Sequence, residues 1–516
     1  MSVNSDLASA GASSLDQQDP PESRSSQLKG KAPAKASALL NLPTELIDGI
    51  LSHLSPYDLA RVSATNHGLH ARANSDYQWQ RCVQENVPYQ LFPTPGPCSS
   101  FRELYSVHDL LWFLPKYKIW FCDRDMTGRL LIVRFDQRRG CIEGYQLLAV
   151  CPHTPMTYWP ANPEVVIHGF EPRVKLHLDK PVLHFRVQDR QEDGGFSTRP
   201  GANRFADEMP MVLEDRISAM FSNFSRTRSL DCVLTDSRIA AGYPYDHIWP
   251  PPAIPARHRV CGAPSGETAI LPRDRPSTRS EMSDQTFRIR QWMEMAGTPA
   301  PPGLVGQTQG FTGLVQVLAG FGNMGIGGVA QPAPMGIHLG EEIITYSTLD
   351  PALYTPTATK PWRGIWVGDY SGHGCEFLLV NQPDDEPAAD VELGLVRGDE
   401  EEEHEWQQRR LEARIYRGRL EAIKLTGDPN VPRGEYTFVA DDLGPAGYIG
   451  MAMDAPFSGA RVVRSKGHVA ATGFNNDKFI ESQLILISHN RLAQYWLDFG
   501  HISFFDRVRI DDFVVP

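Results

Sequence analysis

The residues with the clearest cofactor-binding pattern in this 516-residue sequence are Gly320, Gly322 and Gly325, spaced as G-x-G-x-x-G. That pattern binds a dinucleotide when it follows a strand and opens a helix, whose N-terminus holds the pyrophosphate. An apolar, strand-like segment does precede it, at residues 314–319. The glycines and prolines that follow, at residues 327–334, argue against a long helix. The sequence therefore favours a flexible glycine-rich loop over a nucleotide site.

Other residue types that do chemistry occur without a recognisable constellation. His177 and His184 are expected to face each other across a hairpin, yet core or surface histidines are commoner than a metal pair. His373 and Cys375 are neighbours in sequence, but a strand cysteine beside a turn histidine does not make a thiolate–imidazole pair. P-loop, H-E-x-x-H and G-x-S-x-G motifs are lacking. We therefore expect a non-catalytic chain with no metal and no cofactor.

Two turns carry residues suited to binding a peptide. The first, at residues 369–374, lies between two apolar strands, and its glycines permit positive φ and close backbone approach. The backbone N–H groups of Gly372 and Gly374 could receive the terminal group of a peptide. The second turn, at residues 426–432, is stiffened by two prolines. The candidate substrate-binding residues are Asp369, Tyr370, Ser371, His373, Asp428 and Asn430. The alternative is that both segments are tight turns that a β-barrel needs for its own fold.

The composition restricts the class of protein. A net charge of −12 argues against nucleic acid as the main partner, since phosphate binding needs clustered Lys and Arg. The eight cysteines lie far apart without a C-x-x-C pair, which indicates free thiols in a reducing compartment. The polar N-terminal segment is unlike a signal peptide, and no segment approaches the roughly 20 apolar residues of a membrane span. We expect a cytoplasmic or nuclear protein without a membrane partner.

Short helices are predicted near the start of the chain. Leu42 and Pro43 open a stretch in which apolar residues recur at helical spacing as far as Leu54. The sequence Ser-Pro-Tyr-Asp at residues 55–58 then begins a second, capped helix, and a third helix carries Trp79. Three helices of this length bury too little surface to be stable alone. Part of their apolar surface is therefore expected to meet a partner.

This arrangement resembles an F-box, although a helical hairpin inside a larger domain is the alternative. F-box proteins are the substrate-receptor subunits of SCF-type cullin-RING ubiquitin ligases, so the resemblance implies docking on the adaptor Skp1. The residues that it assigns to Skp1 binding are Leu42, Pro43, Glu45, Leu46, Ile50, Leu54, Leu59, Val62 and Trp79.

The rest of the chain is rich in short strands, for example at residues 129–135, 375–380 and 493–499. Strands of this length at close spacing predict a barrel or a sandwich. The expected fold class is α+β: a small N-terminal three-helix F-box, then a mainly antiparallel β-barrel-like or sandwich substrate domain with irregular insertions. Residues 209–224 and 287–295 are each predicted to form an amphipathic helix.

The chain is divided into six regions by these patterns. They are a disordered tail at 1–38, the F-box at 39–90, a helical linker at 91–114, a first β-rich part of the substrate domain at 115–262, loops with a Gly/Pro-rich insertion at 263–340, and a second β-rich part at 341–516. The acidic run at 399–405 is predicted to be a solvated loop or helix start, with a docking site for a basic segment as the alternative.

Three segments of the second β-rich part resemble the F-box only protein 31 family of SCF substrate receptors. They read G-I-W-V-G-D-Y-S-G-H-G-C-E at 364–376, L-T-G-D-P-N-V-P at 425–432, and L-I-L-I…Y-W-L-D-F…F-F-D-R-V at 484–508. The resemblance implies a β-barrel-like domain that binds degradation signals, such as the C-terminal tails of cyclin-type targets. The insertions near 296–340 and 385–410 depart from the family pattern, and so does the lack of a clear His-rich segment.

The predicted function is therefore that of an adaptor. The chain would bind Skp1 and, through it, a cullin-RING core, and would hold a protein or peptide substrate near the ubiquitin, so that proximity increases the rate. Two alternatives remain open. One is an F-box scaffold acting outside a ligase, and the other is a nucleotide-dependent enzyme that uses residues 320–325.

Overall fold

The computed structural model describes residues 38–152, 155–187, 208–211, 213, 220–231, 233, 235–236, 248–262, 271–295, 337–370 and 373–516. The glycine pattern at 320–325, the predicted tail up to residue 37, and Ser371 with Gly372 lie outside the described residues. The chain divides into two compact units, residues 1–73 and 74–516.

The first unit is helical. After a 3-10 helix at Ala38–Asn41 come α1 (Thr44–Leu51), α2 (Pro56–Ser63) and α3 (His67–Ala73). Helix α2 begins as its sequence predicts, because the Ser55 hydroxyl accepts the N–H of Asp58 at 3.1 Å. Leu59 is fully buried, and an ion pair of 3.2 Å joins Arg72 of α3 to Asp48 of α1.

The second unit opens with three more helices, α4 (Asp76–Asn86), α5 (Phe101–Val107) and α6 (Phe113–Tyr117). The carboxylate of Asp76, in the first turn of α4, accepts the N–H of Phe101 at 3.0 Å and so ties α5 to α4. The buried ring of Trp79 packs against Tyr105, with ring centroids 5.5 Å apart. These helices lead directly into the β-structure.

The strands of the second unit fall into two sheets. The first sheet uses β1 (Ile119–Cys122), β2 (Leu130–Asp136), β3 (Cys141–Val150), β6 (Arg173–Arg186), β7 (Met209–Pro210), β8 (Met220–Arg228), β9 (Met282–Met295) and β10 (Ile337–Thr348). The second uses β4 (Thr157–Trp159), β5 (Asn162–Ile167), β11 (Gly364–Asp369), β12 (Cys375–Asn381), β13 (Leu420–Lys424), β14 (Tyr436–Ala440), β15 (Tyr448–Met451), β16 (Arg461–Ala471), β17 (Asn475–Ser488), β18 (Arg491–Trp496) and β19 (His501–Arg507).

The first sheet is an antiparallel half-barrel with the strand order β6-β3-β2-β1-β10-β9-β8-β7. Its core is aromatic: Phe287 of β9 contacts Trp120 of β1, Tyr346 of β10 and Phe224 of β8, with ring centroids 4.8 to 5.3 Å apart. Phe113 of α6 packs edge-on against Trp120. Side chains from separate strands thus bury one another across the concave face.

Three sequence predictions in this region are wrong. Residues 287–295 belong to strand β9, and of the described residues in 209–224, residues 209–210 belong to β7 and 220–224 to β8, so a single helix over either range is excluded. In β9, Phe287 and Ile289 enter the aromatic core while Arg288 and Arg290 are buried on the opposite face, an alternation that cross-strand pairing imposes. His177 and His184 lie on the single strand β6, so they do not face each other across a hairpin.

The second sheet contains a closed barrel of eight antiparallel strands, β11-β12-β13-β14-β16-β17-β18-β19. Closure comes from the pairing of β19 with β11, where Val367 lies opposite Asp506. Strand β5 adds to β19 in parallel, β4 pairs with β5, and β15 pairs with β16 outside the ring. The predicted fold class, N-terminal helices followed by a mainly antiparallel β-barrel-like domain, is confirmed.

The barrel interior has an apolar end and a polar end. Trp366, Leu378, Phe438 and Phe505, from four strands, belong to one buried apolar cluster. Towards the other end buried hydroxyl and amide groups take their place: the Ser465 and Ser482 hydroxyls are hydrogen-bonded at 2.7 Å, and the Gln494 side-chain amide donates to the Ser482 hydroxyl at 3.1 Å. The polar end is the one at which β11 ends and β12 begins.

Two further helices follow the first sheet: α7 (Pro351–Tyr354) lies between β10 and β11, and α8 (Glu403–Ile415) lies between β12 and β13. The acidic run at 399–405 is a turn followed by the start of α8, which confirms the prediction of a helix start. Arg409 pairs with Glu401, and Arg410 and Arg414 both pair with Asp390, so α8 is held to the preceding segment by ion pairs. Among the described helices none is long and apolar enough to cross a membrane.

Candidate functional site

One candidate site is the outer face of α1. Leu42, Leu46 and Ile50 recur every four residues, and their exposed fractions are 37%, 56% and 44%. Helical spacing places side chains four residues apart on one face, so the three form a continuous apolar strip, here called the α1 face. Pro43 and Glu45 beside it are also exposed. Large exposed apolar strips of this kind mark protein interaction sites.

The other residues predicted to bind a partner lie differently. Leu54 and Val62 are partly buried, whereas Leu59 and Trp79 are buried almost completely. Trp79 belongs to the second unit, where it packs on Tyr105. Buried side chains hold helices in place rather than offering a surface, so the nine residues divide into an accessible strip and supporting residues.

The second candidate site is at the polar end of the barrel, where the two predicted turns meet. Asn430 Nδ2 lies 3.5 Å from His373 Nε2, which joins the turn at 426–432 to the turn at 369–374. The tip between β16 and β17 joins them, because Thr472 donates to Asn430 Oδ1 at 3.1 Å and Gly473 N–H donates to the Pro429 carbonyl at 2.8 Å. His373 is exposed and Asn430 partly so.

The first turn is closed by the N–H of Tyr370, which donates to the carbonyl of Gly374 at 3.0 Å. Gly374 has φ +85°, the left-handed conformation that its sequence position predicted. Asp369 and Tyr370 are partly buried at the end of β11. Ser371 and Gly372 are outside the described residues, so their predicted role remains a prediction.

The second turn is shaped by Asp428. Its Oδ1 accepts the N–H groups of Asn430 at 2.6 Å and Val431 at 2.8 Å, while its own N–H donates to the Val431 carbonyl at 3.1 Å. Only 5% of Asp428 is exposed. The residue therefore shapes the turn from within, as Asx side chains do.

The same turn is held from the outside by the connection between β1 and β2. Gly427 N–H donates to the Thr127 carbonyl and Arg433 N–H to the Met126 carbonyl, both at 2.8 Å. A Cβ atom on Gly427 would collide with the backbone of Pro432 and Arg433, so the close approach requires glycine. Sequence reasoning missed this support, because the two segments lie some three hundred residues apart.

Three charged side chains lie behind the turn and are named here the Lys424 cluster: Glu376 of β12, Lys424 of β13 and Asp428. Lys424 Nζ is 2.7 Å from Glu376 Oε2 and 2.7 Å from Asp428 Oδ2. Glu376 and Lys424 are each 2% exposed. The ammonium also lies 4.3 Å from the centre of the Tyr370 ring, whose hydroxyl is 2.8 Å from that of Thr437.

The two carboxyl groups of the cluster have opposite pKa shifts. Burial raises the pKa of Glu376 to about 8, which Lys424 opposes and the charge of Asp428 reinforces. Burial also acts to raise the pKa of Asp428, but Lys424, Glu376 and the N–H of Val431 outweigh it and lower that pKa to about 2. Lys424 and the N–H of Val431 thus favour the charge on Asp428, whereas burial disfavours a charge on Glu376.

Glu376 and Lys424 were not among the residues predicted from the sequence. Glu376 is the one charged residue of C-E-F-L-L-V, and Lys424 ends L-E-A-I-K, which also carries Glu421. A charged residue in such a short apolar strand is ordinarily expected to face solvent. The barrel closes around them instead. Two opposite charges on consecutive strands of a barrel are the signal that could have pointed to them.

A pocket of about 580 Å³ lies on the outer wall of the barrel. Val367 and Val508 line it together with charged groups, and those groups have partners: Arg491 pairs with Asp506 at 3.2 Å, and Arg509 with Asp512 at 3.4 Å. Among the described residues no group of three or more His, Cys, Asp and Glu side chains is arranged to hold a metal.

Comparisons with known protein families agree with this division. Residues 39–85 match the family described as F-box-like, and residues 346–512 match the family described as Cyclin D1 binding domain. No curated protein matches the chain. The N-terminal helices are therefore an F-box-like domain, as the sequence predicted, and the second match spans the whole barrel together with both turns.

Proposed function

We propose that this chain is a substrate receptor of an SCF ubiquitin ligase, related to the F-box only protein 31 family. The observation that carries the proposal is the joining, in one chain, of an F-box-like match and a match to a domain described as binding cyclin D1. The first would connect the chain to Skp1 and a cullin-RING core, in the cytoplasm or nucleus. The second would hold the target, so that ubiquitin transfer gains from proximity. We also propose that the chain is divided into the six regions predicted from its sequence.

Skp1 would be met by the α1 face. Leu42, Leu46 and Ile50 are the large apolar residues that α1 and its entry leave exposed, and burying them against a partner is favourable by about 25 cal/mol per Å². Leu59 would contribute indirectly, by holding together the helices of the first unit that carry this face, whereas Trp79 would hold α4 to α5 in the second unit. Leu54 and Val62 would take an intermediate part at its margin.

Co-expression with Skp1 followed by size-exclusion chromatography tests this part. The wild-type chain should co-elute with Skp1, and a Leu46→Asp/Ile50→Asp variant should not, because it places charges in the buried strip. Leu91→Asp is the matched control, since Leu91 is 83% exposed but lies outside the F-box-like match. Loss of co-elution in the control, or its survival in the double variant, would refute the proposed Skp1 face. Cullin in the same eluate would separate a ligase subunit from a scaffold.

The substrate would be met by the polar end of the barrel. His373 and Asn430 are the accessible side chains where the two turns meet, Asp369 and Tyr370 flank them, and Ser371 completes the predicted set. Asp428 would shape the turn rather than touch the peptide. Backbone N–H groups and short polar side chains at such a loop junction suit the terminal group of an extended peptide.

Fluorescence polarisation with a labelled peptide from the C-terminal tail of cyclin D1 tests this second part. The wild-type chain should bind the peptide, and His373→Ala/Asn430→Ala should weaken binding about tenfold or more, the value of one or two lost hydrogen bonds. His404→Ala, an exposed histidine on α8, is the matched control and should bind like wild type. Undiminished affinity in the folded double variant would refute this site.

A further inference from the structure

We propose that the Lys424 cluster makes the binding turn sensitive to protonation, so that the barrel holds its peptide when Glu376 is protonated and releases it when Glu376 is ionised. Glu376 and Lys424 are positioning residues in this scheme, since they act through Asp428. The inference rests on the proposed substrate site and adds a regulation of that site.

The connection from the cluster to the turn is direct. Asp428 uses its two carboxylate oxygens for different tasks: Oδ2 faces Lys424 Nζ at 2.7 Å, and Oδ1 accepts the N–H groups of Asn430 and Val431. A change in what Oδ2 faces therefore reaches the backbone of Asn430 through one side chain. Asn430 is also the residue that contacts His373 and Thr472, so the same movement would alter the junction of the three loops.

The cluster holds more acid than base in a place that water barely reaches. One ammonium faces two carboxyl groups, and all three residues are at least nine-tenths buried. If both acids were ionised, one negative charge would be uncompensated, which is costly in a medium of low polarity. Glu376 Oε1, moreover, is buried with no hydrogen-bond partner. Keeping the proton on Glu376 removes the excess charge.

Within the part of the chain that the structure describes, the charges that act most strongly on Glu376 are those of Lys424 and Asp428. The turn after β11 contributes Tyr370, whose pKa is raised well above its usual value by burial, so it stays neutral. Strand β14 contributes the uncharged hydroxyl of Thr437, and β19 contributes Phe505 beside the Tyr370 ring. The side chains that face Glu376 and titrate or carry charge are thus Lys424, Asp428 and Tyr370.

The order of the two protonation steps follows from the same contacts. Burial disfavours a charge on Glu376, whereas Lys424 and the N–H groups of Asn430 and Val431 favour one on Asp428, so Glu376 is the carboxyl group that keeps its proton to the higher pH. Ionisation of Glu376 would place two carboxylates beside one ammonium, so that they compete for Lys424 Nζ. The hold of Lys424 on Asp428 weakens, and the turn loses the support that fixes it.

The experiment measures binding of the cyclin D1 tail peptide from about pH 7 to about pH 9, above the range in which histidines ordinarily titrate. We expect the affinity of the wild-type chain to fall about tenfold across this range, as expected for loss of one stabilising hydrogen bond. Glu376→Gln keeps a hydrogen-bond donor but cannot ionise, so its affinity should stay constant. Glu481→Gln, which alters an exposed glutamate of the same barrel, should follow wild type.

The outcomes separate the two proposals. Parallel pH profiles for the wild-type chain and Glu376→Gln would overturn the protonation mechanism while leaving the substrate site intact. Absence of peptide binding at every pH would overturn the substrate site and the regulation that rests on it. If Glu376→Gln does not fold, hydrogen exchange of the wild-type chain decides: the amides of Asn430 and Val431, corrected for intrinsic exchange, should lose protection as pH rises, and unchanged protection would overturn the inference.

Discussion

The α1 face and the polar end of the barrel, the two surfaces proposed to meet partners, are built in opposite ways. On α1 the apolar side chains are exposed, and they would become buried only when a partner binds. At the barrel end the charged side chains are already buried, and they hold a turn whose tip alone is accessible. The first surface gains affinity from area removed from water. The second gains it by fixing backbone groups in advance, so that little order is lost on binding.

The largest expected effect comes from removing the buried ammonium of the Lys424 cluster. Lys424→Met removes the ammonium that faces two carboxyl groups, and leaving a buried charge unpaired costs about 3–5 kcal/mol of unfolding free energy. Lys466→Met removes an exposed pair with Asp441 on the same barrel, 3.0 Å apart, and should cost under about 1 kcal/mol. Urea unfolding of both variants measures the difference. Equal losses of unfolding free energy in the two variants would mean that the Lys424 cluster stabilises the barrel no more than an exposed ion pair does.

Two leucines of the first unit, one buried and one exposed, separate the stability of the helices from binding at the α1 face. Leu59→Ala should lower the free energy of opening of α1 to α3 by about 2–4 kcal/mol, because it leaves a cavity at a fully buried position. Leu46→Ala, at a residue 56% exposed, should change it by less than about 0.5 kcal/mol while weakening Skp1 binding. Hydrogen exchange of the helix amides and Skp1 titration measure the two quantities. A large stability loss from Leu46→Ala would place that residue in the core instead.

The dependence of stability on pH separates the two acids of the cluster. The folded pKa of Glu376, about 8, lies above its ordinary value of 4.5, so between these pH values the folded chain holds one proton more than the unfolded chain. Stability should therefore fall as pH rises through that window, by at most about 1.4 kcal/mol per pH unit, and Glu376→Gln should lack this slope. Asp428, with its lowered pKa, has the opposite sign: its contribution is present above its ordinary pKa of 3.8 and is lost as pH falls towards about 2. Thermal unfolding of both chains against pH provides the measurement, and identical slopes would contradict the assignment.

The smallest effect concerns the start of α2. Ser55→Ala removes the hydroxyl that accepts the N–H of Asp58 and should cost about 1 kcal/mol, whereas Ser55→Thr keeps a hydroxyl that can accept this N–H and donate to the Asp58 carboxylate, as Ser55 does. Measured by hydrogen exchange in α2, the alanine variant should exchange faster and the threonine variant like wild type. Skp1 binding should change little in either, since the α1 face is untouched. A strong loss of Skp1 binding would instead extend the contact surface to the start of α2.

The parts of the fold that depend on nearby residues were predictable. The cap at Ser55, the strip of Leu46 and Ile50, and the strands around the two turns each arise within a few residues, so periodicity and turn chemistry reveal them. The error at residues 287–295 has the opposite cause: Ile289 and Trp292 have the i, i+3 spacing of a helical face, but pairing with distant strands places them in β9. Lys424 and Glu376 were missed because only closure of the barrel turns them inward. For the site, sequence reasoning found the two turns but not what holds them.

The contacts between the β1–β2 connection and the turn at residues 426–432 have a consequence for how the molecule folds. Arg433 donates to the carbonyl of Asp123, 310 positions earlier in the chain, and the amides of Gly427 and Arg433 bond to Thr127 and Met126 beside it. A contact of such long sequence separation forms late, because much of the intervening chain must first be brought together. We therefore expect the turn to reach its final shape only after the β1–β2 connection is in place. A fragment that begins at residue 346 would carry every strand of the barrel ring and still lack the segment that fixes the turn at 426–432.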